Sequence, residues 1–503
     1  MLGILDKEQP SRRAVLVMLS PRLLSKRSSL LLLAFSVFIG GLLVASSRLG
    51  ELCHDGSLCG LSSLRRKLSP AGHEAVAPTS QGPRQGSAKE ADECAHFPDT
   101  SKVLLVMKTG ASEAYGKVPN QIMTNLKCLP DLLVFGDMEQ RVAGHKVHDS
   151  LESVLAQVKE ENSDFELYFR QKTCPVDQEA CNKNHKVGEE AWKLDKYKNI
   201  HMAEKTYAMR RHYDWYLFVD ADTYVVWPTL MQWLERLDAA DRHYIGSVAY
   251  VGNFPFGHGG SGYLVSQATM RTMFDGQANV ANRWDQRVTR ECCGDYVFSL
   301  ALHNETGIDV ENAWPTINGE KPNTLPYAHD EWCQPIATMH HVGAQDVSDL
   351  WGFEVERRFA GPMRIKDVFH RFVEDKLEPS RAHWDNLSDS VFYLNRTARQ
   401  YSDHELKRAK WQDLSALELA AHRSFDDCRR ACQSIDRCFQ YRFHNSICAI
   451  SYTIKHGRPA EPQDDHQLHH HSGWIVKRIK QWVQDHDKCG DVEFPFNTRW
   501  FAS

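Results

Sequence analysis

The stretch from Trp215 to Val226 constrains this chain most strongly, with the sequence W-Y-L-F-V-D-A-D-T-Y-V-V. Its first five residues form a short continuous apolar run, which is typical of a strand buried on both faces of a parallel sheet. Two carboxylates, Asp220 and Asp222, follow directly. A helix is predicted to begin at Pro228, because apolar residues then recur at helical spacing. Since ligands collect beyond the carboxyl ends of parallel strands, the acidic pair is predicted to lie at a binding site.

Two carboxylates one residue apart at the end of a buried strand are costly unless a positive group meets them. A hard divalent cation is a suitable partner, since Mg²⁺ is typically held by one or two carboxylates while it bridges substrate phosphates. A bare D-x-D also occurs in solvated turns, but the buried strand before it and the amphipathic helix after it favour a metal site. A histidine of the run T-M-H-H-V at 338–342 is the expected third ligand, because it follows a predicted strand.

Residues 28–47 carry no charge and are long enough to cross a bilayer as a helix. Basic residues precede them, so the amino end is expected to stay cytoplasmic. The alternative is a cleaved signal peptide, but the length of the apolar run and its position well inside the chain favour an uncleaved anchor. The remainder is then lumenal, in an oxidising compartment. Three glycosylation sequons, beginning at Asn304, Asn386 and Asn395, agree with this.

The length of 503 residues, with 42% hydrophobic content and a net charge of −5, predicts a globular protein with more than one module. This charge gives no bulk signal for nucleic acid, so no nucleic-acid partner is expected. Residues 48–95 mix Ser, Gly, Pro, Ala and charge without apolar periodicity, which indicates a flexible stem. Cys53 and Cys59 could pair with each other or across a homodimer.

An α/β pattern begins near residue 100 and alternates predicted strands with predicted helices. The expected strands are Val103–Met107, Leu132–Phe135, the Trp215 strand and Tyr244–Tyr250, with helices near Ile122, from Ser150 and over Lys196–Met209. This order predicts a parallel sheet covered on both sides by helices. A loop with Lys108, Thr109 and Gly110 follows the first strand.

A glycine-rich run, G-H-G-G-S-G-Y-L-V-S at 257–266, follows the strand predicted at 244–250. It lacks the strand-then-helix context of a nucleotide-binding loop. Glycine lets a backbone approach a ligand closely, although a mobile surface loop is equally consistent with this pattern. Further on, Asp295 precedes an apolar helical run and could be its N-cap. Adjacent Cys292 and Cys293 are expected to pair with different partners, because neighbouring cysteines do not readily bond to each other.

The composition changes after a polar, aromatic connector at 376–415. Cys428, Cys432, Cys438 and Cys448 fall within 21 residues, and the lumenal location favours two disulfides over a zinc site. Cys489 is expected to join this module or the preceding domain. The histidines at 466 and 469–471 lie in a charged loop, where we expect them to be solvated.

Taken in order, the anchor, stem, W-Y-L-F-V-D-A-D-T-Y-V-V, G-G-S-G-Y-L-V-S, C-G-D and T-M-H-H-V resemble glycosyltransferase family 31. The similarity covers roughly residues 100–355 and is greatest to the branch of the core-1 β1,3-galactosyltransferases and Fringe. Residues 416–475 resemble a PAN/Apple module. The resemblance implies a GT-A fold (Rossmann-like, with a mainly parallel sheet), a UDP-sugar donor, Mn²⁺ or another divalent cation, and transfer with inversion.

The resemblance also implies a domain order and a localisation in the Golgi membrane, with the catalytic domain lumenal in a single-pass type II topology. The expected segments are a cytoplasmic tail (1–27), the anchor (28–47), the stem (48–95), the GT-A domain (96–375), the connector (376–415), the PAN/Apple-like module (416–475) and a tail (476–503). The expected reaction transfers a hexose, galactose in β1,3 linkage, to an N-acetylgalactosamine-type acceptor on a glycan or glycoprotein.

Site residues follow from the same motifs. Asp220 and Asp222 are both expected in the metal site, with Asp222 the direct ligand and Asp220 nearer the ribose and sugar. His340 is expected to be the histidine ligand. The remaining implied roles are catalytic base for Asp295, lining of the donor and acceptor cleft for Gly259, Gly260 and Gly262, and contact with uracil and ribose for Lys108, Thr109 and Gly110.

This sequence departs from the family's motifs at three positions. Ala221 replaces the middle acid of the usual D-D-D, and Gly294 replaces the first acid of an E-D pair. His341 replaces an aromatic residue, so the sequence leaves open whether His340 or His341 is the ligand.

The chemistry is coherent without the resemblance. Breaking the bond between the anomeric carbon and UDP leaves negative charge on the diphosphate, which a divalent cation stabilises. An inverting displacement also needs one base for the acceptor hydroxyl, and Asp295 is the candidate. The competing interpretations are a non-catalytic lumenal lectin or chaperone with a vestigial D-A-D, and another lumenal metal enzyme such as a hydrolase.

Overall fold

The computed structural model describes residues 93–395, 397, 401–462 and 469–496, which all belong to one compact unit. The predicted anchor at 28–47 lies outside the described residues, as do Cys53, Cys59, His466 and nearly all of the predicted stem. Among the described residues, no helix combines the length and apolar character that a membrane span requires.

The first part of the described chain alternates strands and helices. Its strands are β1 Val103–Lys108, β2 Leu132–Gly136, β3 Gln140–Val142, β4 His145–Asp149, β5 Trp215–Asp220, β6 Tyr224–Val225, β7 Tyr244–Gly246, β8 Val248–Val251, β9 Phe254–Gly257, β10 Tyr263–Ser266, β11 Glu311–Asn312 and β12 Thr338–Met339. Its helices are α1 Ala114–Met123, α2 Ala156–Lys159, α3 Glu166–Thr173, α4 Gln178–Asn182, α5 Val187–Asp195, α6 Lys198–Met209, α7 Trp227–Leu234, α8 Gln267–Phe274, α9 Asp285–Val288, α10 Gly294–Thr306, α11 Ala344–Glu356 and α12 Ile365–Phe372.

Eight of these strands form one sheet in the order β11-β7-β10-β5-β1-β2-β4-β3. Strand β1 pairs in parallel with β5 and β2, and β2 pairs in parallel with β4. Strand β10 is antiparallel to both of its neighbours, and β3 is antiparallel to β4. The prediction of an α/β fold with a mainly parallel sheet is therefore confirmed.

The central strands are buried on both faces. Side chains of β1 and β5 alternate between two hydrophobic clusters, with Leu104 and Phe218 in one and Leu105 and Leu217 in the other. This two-sided burial explains the continuous apolar run of β5, and each such side chain contributes roughly 1.5–3 kcal/mol to folding. The register pairs Lys108 with Asp220, so β1 and β5 end together at one edge of the sheet.

The strand predicted at Tyr244–Tyr250 is two strands in the structure. Strand β7 belongs to the main sheet, whereas β8 pairs only with β9 in a separate hairpin. The hairpin folds back closely over β7, because a Cβ on Gly246 would lie 3.2 Å from the Cα of Gly257. Likewise, only Ala156–Lys159 is helical in the segment predicted as a helix from Ser150. Asp149 there accepts a hydrogen bond from the Leu151 amide and so holds a turn.

The second part of the described chain is built on an antiparallel sheet in the order β13-β19-β16-β17-β15. Its strands are β13 Ser380–Ala382, β14 Trp384–Asp385, β15 Val391–Tyr393, β16 Gln440–His444, β17 Ile447–Ser451, β18 Arg458–Pro459 and β19 His471–Trp474, and its helices are α13 Asp403–Arg408, α14 Ala416–Ala420, α15 Phe425–Gln433 and α16 Val476–His486. Strands β13 and β15 come from the segment assigned to the connector. His471 lies in β19, between Phe443 and Ala382.

All described cysteines are in disulfides. Two of the bonds are those expected near the C-terminus, and the full set is Cys94–Cys128, Cys174–Cys181, Cys292–Cys293, Cys333–Cys489, Cys428–Cys448 and Cys432–Cys438. The expectation that Cys292 and Cys293 pair with different partners is wrong. The other described cysteines are bonded among themselves, and the adjacent pair closes a ring across its own peptide bond. Cys489 is tied to the first part of the chain through Cys333.

Candidate active site

A cleft of about 660 Å³ lies at the carboxyl ends of β1 and β5. It brings together nine of the sequence-predicted site residues, namely Lys108, Thr109, Gly110, Asp220, Asp222, Gly259, Gly260, Asp295 and His340. The tenth, Gly262, does not line the cleft and has a left-handed conformation, with φ of 86°. A Cβ there would lie 3.3 Å from the carbonyl oxygen of Phe218, which is why glycine is suited to this position.

The two acids of D-A-D have different partners. Asp220 Oδ1 lies 3.3 Å from Nζ of Lys108, its register partner on β1. Asp222 Oδ1 lies 3.3 Å from Nε2 of His340. Between them, Ala221 is buried in the core and its amide donates to the Lys108 carbonyl. The middle position therefore does not need an acid, because its side chain faces away from the cleft.

Asp222 is held between two basic side chains. Its second oxygen, Oδ2, lies 3.2 Å from Nζ of Lys117 on α1. Burial alone would raise the pKa of Asp222, but the hydrogen bond and charge of His340, with the charge of Lys117, outweigh it and hold that pKa well below its usual range. Asp222 is therefore ionised at physiological pH, as a metal ligand must be.

Potential metal ligands converge on this carboxylate. One ligand atom each of Asp222, His340 and His341 lies within 4.8 Å of the others. His340 is only 6% exposed, and its Nδ1 has no hydrogen-bond partner among the described residues. One carboxylate and two imidazoles are a donor set that divalent transition cations use, so these residues fit a divalent cation. Asp220 lies outside this cluster, and its expected role beside the metal stays a prediction.

A network of alternating charges lies beneath the cleft. Lys108 contacts Asp195 at the end of α5. Asp195 Oδ1 lies 3.2 Å from Nζ of Lys198. The same Nζ of Lys198 lies 3.5 Å from Asp137 Oδ2. Burial would lower the pKa of Lys108, but the charges of Asp195 and Asp220 outweigh it and raise that pKa well above its usual value. Lys108 is therefore a fixed positive charge at the cleft floor.

Asp295 lies in the first turn of α10. Its Oδ2 accepts a hydrogen bond of 2.7 Å from the Gly259 amide, which joins it to the glycine loop. The N-cap of this helix is Cys293, so Asp295 is not the cap. The adjacent Gly294 is closely packed, because a Cβ there would lie 2.4 Å from Asn199 Oδ1. This packing explains why an acid is absent at 294.

His258 is a cleft residue that sequence reasoning did not select. The Ser261 amide donates a 3.1 Å hydrogen bond to its Nδ1, so the ring hydrogen lies on Nε2. Burial lowers the pKa of His258, which keeps the imidazole neutral. Its ring centroid lies 5.7 Å from that of His340. Its position between Gly257 and Gly259 was the only sequence signal that could have identified it.

Helix α5 forms one wall of the cleft. The side facing the cleft carries Val187, Gly188, Ala191, Trp192 and Asp195, a spacing that fits a single helix face. The bonded pair Cys292 and Cys293 also lines the cleft, directly before α10. The site therefore has a polar floor and a partly apolar wall, an arrangement suited to a ligand with both charged and ring-shaped parts.

A family model described as Fringe-like matches residues 162–302 of this chain. The search of curated proteins found no match to the chain. The matched segment contains Asp220, Asp222 and Asp295, whereas Lys108 and His340 lie outside it. A Fringe-like domain suggests a glycosyltransferase of the family 31 type. Such enzymes generally use a divalent cation and a UDP-sugar, and the cluster of Asp222 with the two histidines agrees with the first requirement.

Proposed function

With the Fringe-like match as premise, we propose that this protein is an inverting, metal-dependent glycosyltransferase that transfers a hexose from a UDP-sugar to a glycan or glycoprotein acceptor. The proposed reaction is transfer of galactose in β1,3 linkage to an N-acetylgalactosamine-type acceptor. One observation carries the proposal: the Asp222–histidine cluster and Asp295 share one cleft beyond the carboxyl ends of β1 and β5. The inferred reaction requires both a cation site and a base.

Donor binding uses the floor of the cleft. Asp222 and His340 would hold the cation, and the cation would supply charge stabilisation for the UDP leaving group. Lys108 stays protonated and adds a fixed positive charge near the diphosphate. Asp220, held at 3.3 Å by Lys108, accepts hydrogen bonds from ribose and sugar hydroxyls. Thr109 and Gly110 complete the uracil and ribose contacts.

Acceptor activation uses Asp295. Its carboxylate takes the proton from the attacking hydroxyl, while the 2.7 Å hydrogen bond from the Gly259 amide fixes its orientation. A Cβ at Gly259 would lie 3.2 Å from Asp295 Oδ2, so a side chain there would press against the carboxylate. His258, in the same cleft, donates its Nε2 hydrogen to a hydroxyl of the substrate.

The test is UDP release by the purified full-length chain, measured against a panel of UDP-sugars and simple acceptors with Mn²⁺ or with a chelator. We expect acceptor-dependent release with UDP-galactose that the chelator abolishes, and a β1,3 linkage in the product by NMR. Release with a different donor would correct the sugar and retain the reaction class. No release with any donor, together with tight glycan binding, would contradict the proposal and favour a lectin.

We also propose that the protein is a single-pass type II Golgi membrane protein anchored by residues 28–47. The disulfides of the described residues support an oxidising compartment. A shift in electrophoretic mobility on glycosidase treatment, with protease protection in sealed vesicles, would agree with a lumenal domain. Digestion of the large domain in intact vesicles would contradict it.

A further inference from the structure

The imidazoles of His340 and His341 lie side by side although they are consecutive residues that follow β12. In an extended chain, consecutive side chains point to opposite faces. Here His341 has a left-handed backbone conformation, with φ of 60°, which breaks that alternation. The two ring centroids are 3.8 Å apart, and both residues line the cleft beside Asp222.

This backbone conformation is unfavourable for a residue with a side chain and persists only where the surroundings hold it. The structure shows what holds it here. The Val342 amide, directly after the strained residue, donates a 3.1 Å hydrogen bond to the carbonyl oxygen of Asp222. This hydrogen bond ties the left-handed turn at His341 to the backbone of Asp222, the acid beside which the two imidazoles lie. Such strain commonly marks a functional position.

We propose that His341 is a third protein ligand beside Asp222 and His340, and that its imidazole, the second in the site, makes the site prefer transition cations over Mg²⁺. This deepens the proposed function and rests on it for the presence of a cation. Imidazole donors favour Co²⁺, Zn²⁺ and similar ions, whereas Mg²⁺ prefers oxygen ligands in a near-ideal octahedron. His341 is therefore the residue that sets the preference for transition cations over Mg²⁺.

The charges around the cluster support the same preference. Asp222 brings one negative charge, and Lys117 lies 3.2 Å from its Oδ2. Lys117 also lies 2.8 Å from Glu113, and Asp220 is held by Lys108. With a single carboxylate that is already partly neutralised, cation binding has to rely on the nitrogen donors. Nitrogen donors distinguish transition metals from Mg²⁺, whereas a purely electrostatic site would not.

The experiment measures metal affinity directly on the full-length protein with UDP present. Co²⁺ is followed by its visible absorption, Mn²⁺ by the electron paramagnetic resonance of the free ion, and Mg²⁺ by competition with Mn²⁺. His341→Gly removes the ligand while it relieves the left-handed strain. We expect this variant to bind Co²⁺ about tenfold or more weakly, with a smaller loss for Mn²⁺, which depends less on nitrogen donors. We expect its Mg²⁺ affinity to stay within about threefold of the unmodified protein.

Arg358→Gly is the matched control, because Arg358 also has a left-handed backbone, with φ of 52°, and does not line the cleft. It should leave all three affinities unchanged. Unchanged Co²⁺ affinity in His341→Gly, or equal losses for all three cations, would overturn the proposal. If the variant does not fold, the test is the spin-echo modulation of Mn²⁺ bound to the unmodified chain. The proposal requires two nitrogen ligands on the ion. One nitrogen ligand, or no bound ion, would refute the proposal. Neither readout needs sugar transfer, so failure of this proposal can be distinguished from failure of the proposed transferase function.

Discussion

The imidazole of His340 lies so close to Gly260 that a Cβ at that position would be 2.2 Å from Cε1 and 2.6 Å from Nε2. The carbonyl of Gly260 also accepts a 2.7 Å hydrogen bond from Oγ1 of Thr223, the residue directly after the acidic motif. The glycine loop is therefore fixed between the acidic motif and the histidine. Glycine at 260 makes room for the ring of the predicted metal ligand.

Replacing this glycine should displace His340. We expect Gly260→Ala to weaken Mn²⁺ binding by at least about tenfold, with a loss of roughly 1–3 kcal/mol in the free energy of unfolding. Gly188→Ala is the matched control in the same cleft, since no atom lies within 4 Å of its added Cβ. Because Gly188 lies in α5, that change should be neutral or stabilising by up to about 1 kcal/mol. Metal titration and denaturant unfolding check both, and equal effects of the two changes would contradict the steric argument.

The two acids of D-A-D should differ when each loses its charge. Asp222→Asn should abolish metal binding and lower turnover by more than about a hundredfold, because the carboxylate belongs to the metal cluster. Asp220→Asn should keep most of the Mn²⁺ affinity and raise KM for the donor, because its structural partner is Lys108. Calorimetric metal titration with steady-state kinetics separates the two. Full metal affinity in Asp222→Asn would remove this residue from the metal site.

Asp295→Asn should abolish transfer while UDP and Mn²⁺ still bind. The amide keeps an oxygen for the Gly259 hydrogen bond of 2.7 Å but cannot accept the acceptor's proton. Loss of a general base lowers turnover by about 10²–10⁴-fold. Asp349→Asn, the same chemical change at an exposed acid outside the cleft, is a control that should leave turnover unaffected. Full transfer activity in Asp295→Asn would eliminate Asp295 as the base.

The acidic pair and its strand could be predicted because their signals are local. The apolar run of β5 reflects burial on both faces, and the carboxylates follow at its end. The long-range partners could not be predicted in this way. Lys117 reaches Asp222 from α1, and Asp195 reaches Lys108 from α5. These contacts depend on how helices pack against the sheet, and no local pattern records that packing.

Backbone details were hidden for a related reason. The single strand predicted from Tyr244 divides in two because the close approach of Gly246 and Gly257 depends on a tertiary turn. The side-by-side placement of the two histidines requires the positive φ of His341, which the letters H-H do not reveal. The sequence could therefore identify the glycine loop and the histidine pair, but not how each is held.

Glu354 should make stability depend on pH. This carboxyl on α11 accepts a hydrogen bond from the Tyr224 hydroxyl, and its other oxygen has no hydrogen-bond partner among the described residues. Burial raises the pKa of Glu354 to about 8, well above the value of about 4.3 expected in the unfolded chain. Between these values the folded protein keeps a proton that the unfolded chain has released. Stability therefore falls as pH rises through this window, by up to about 1.4 kcal/mol per pH unit.

The test compares unfolding free energies at pH 5.5 and 7.5. Glu354→Gln should remove this contribution, so that its stability relative to the unmodified protein improves by about 2–3 kcal/mol over the two units. Asp349→Asn, an exposed change on the same helix, should leave the pH dependence as it is. Parallel pH curves for Glu354→Gln and the unmodified protein would show that Glu354 is ionised in the folded state.

The bond between Cys333 and Cys489 spans 156 residues and encloses the entire five-stranded sheet of the second part. Cys333 precedes β12 and the histidine pair. The disulfide therefore fixes the segment that completes the cleft to the C-terminal end of the enclosed loop. During synthesis this disulfide cannot close until Cys489 has emerged, after the whole sheet has been made. A chain that ends before Cys489 therefore has every residue that lines the cleft but leaves Cys333 without its disulfide partner.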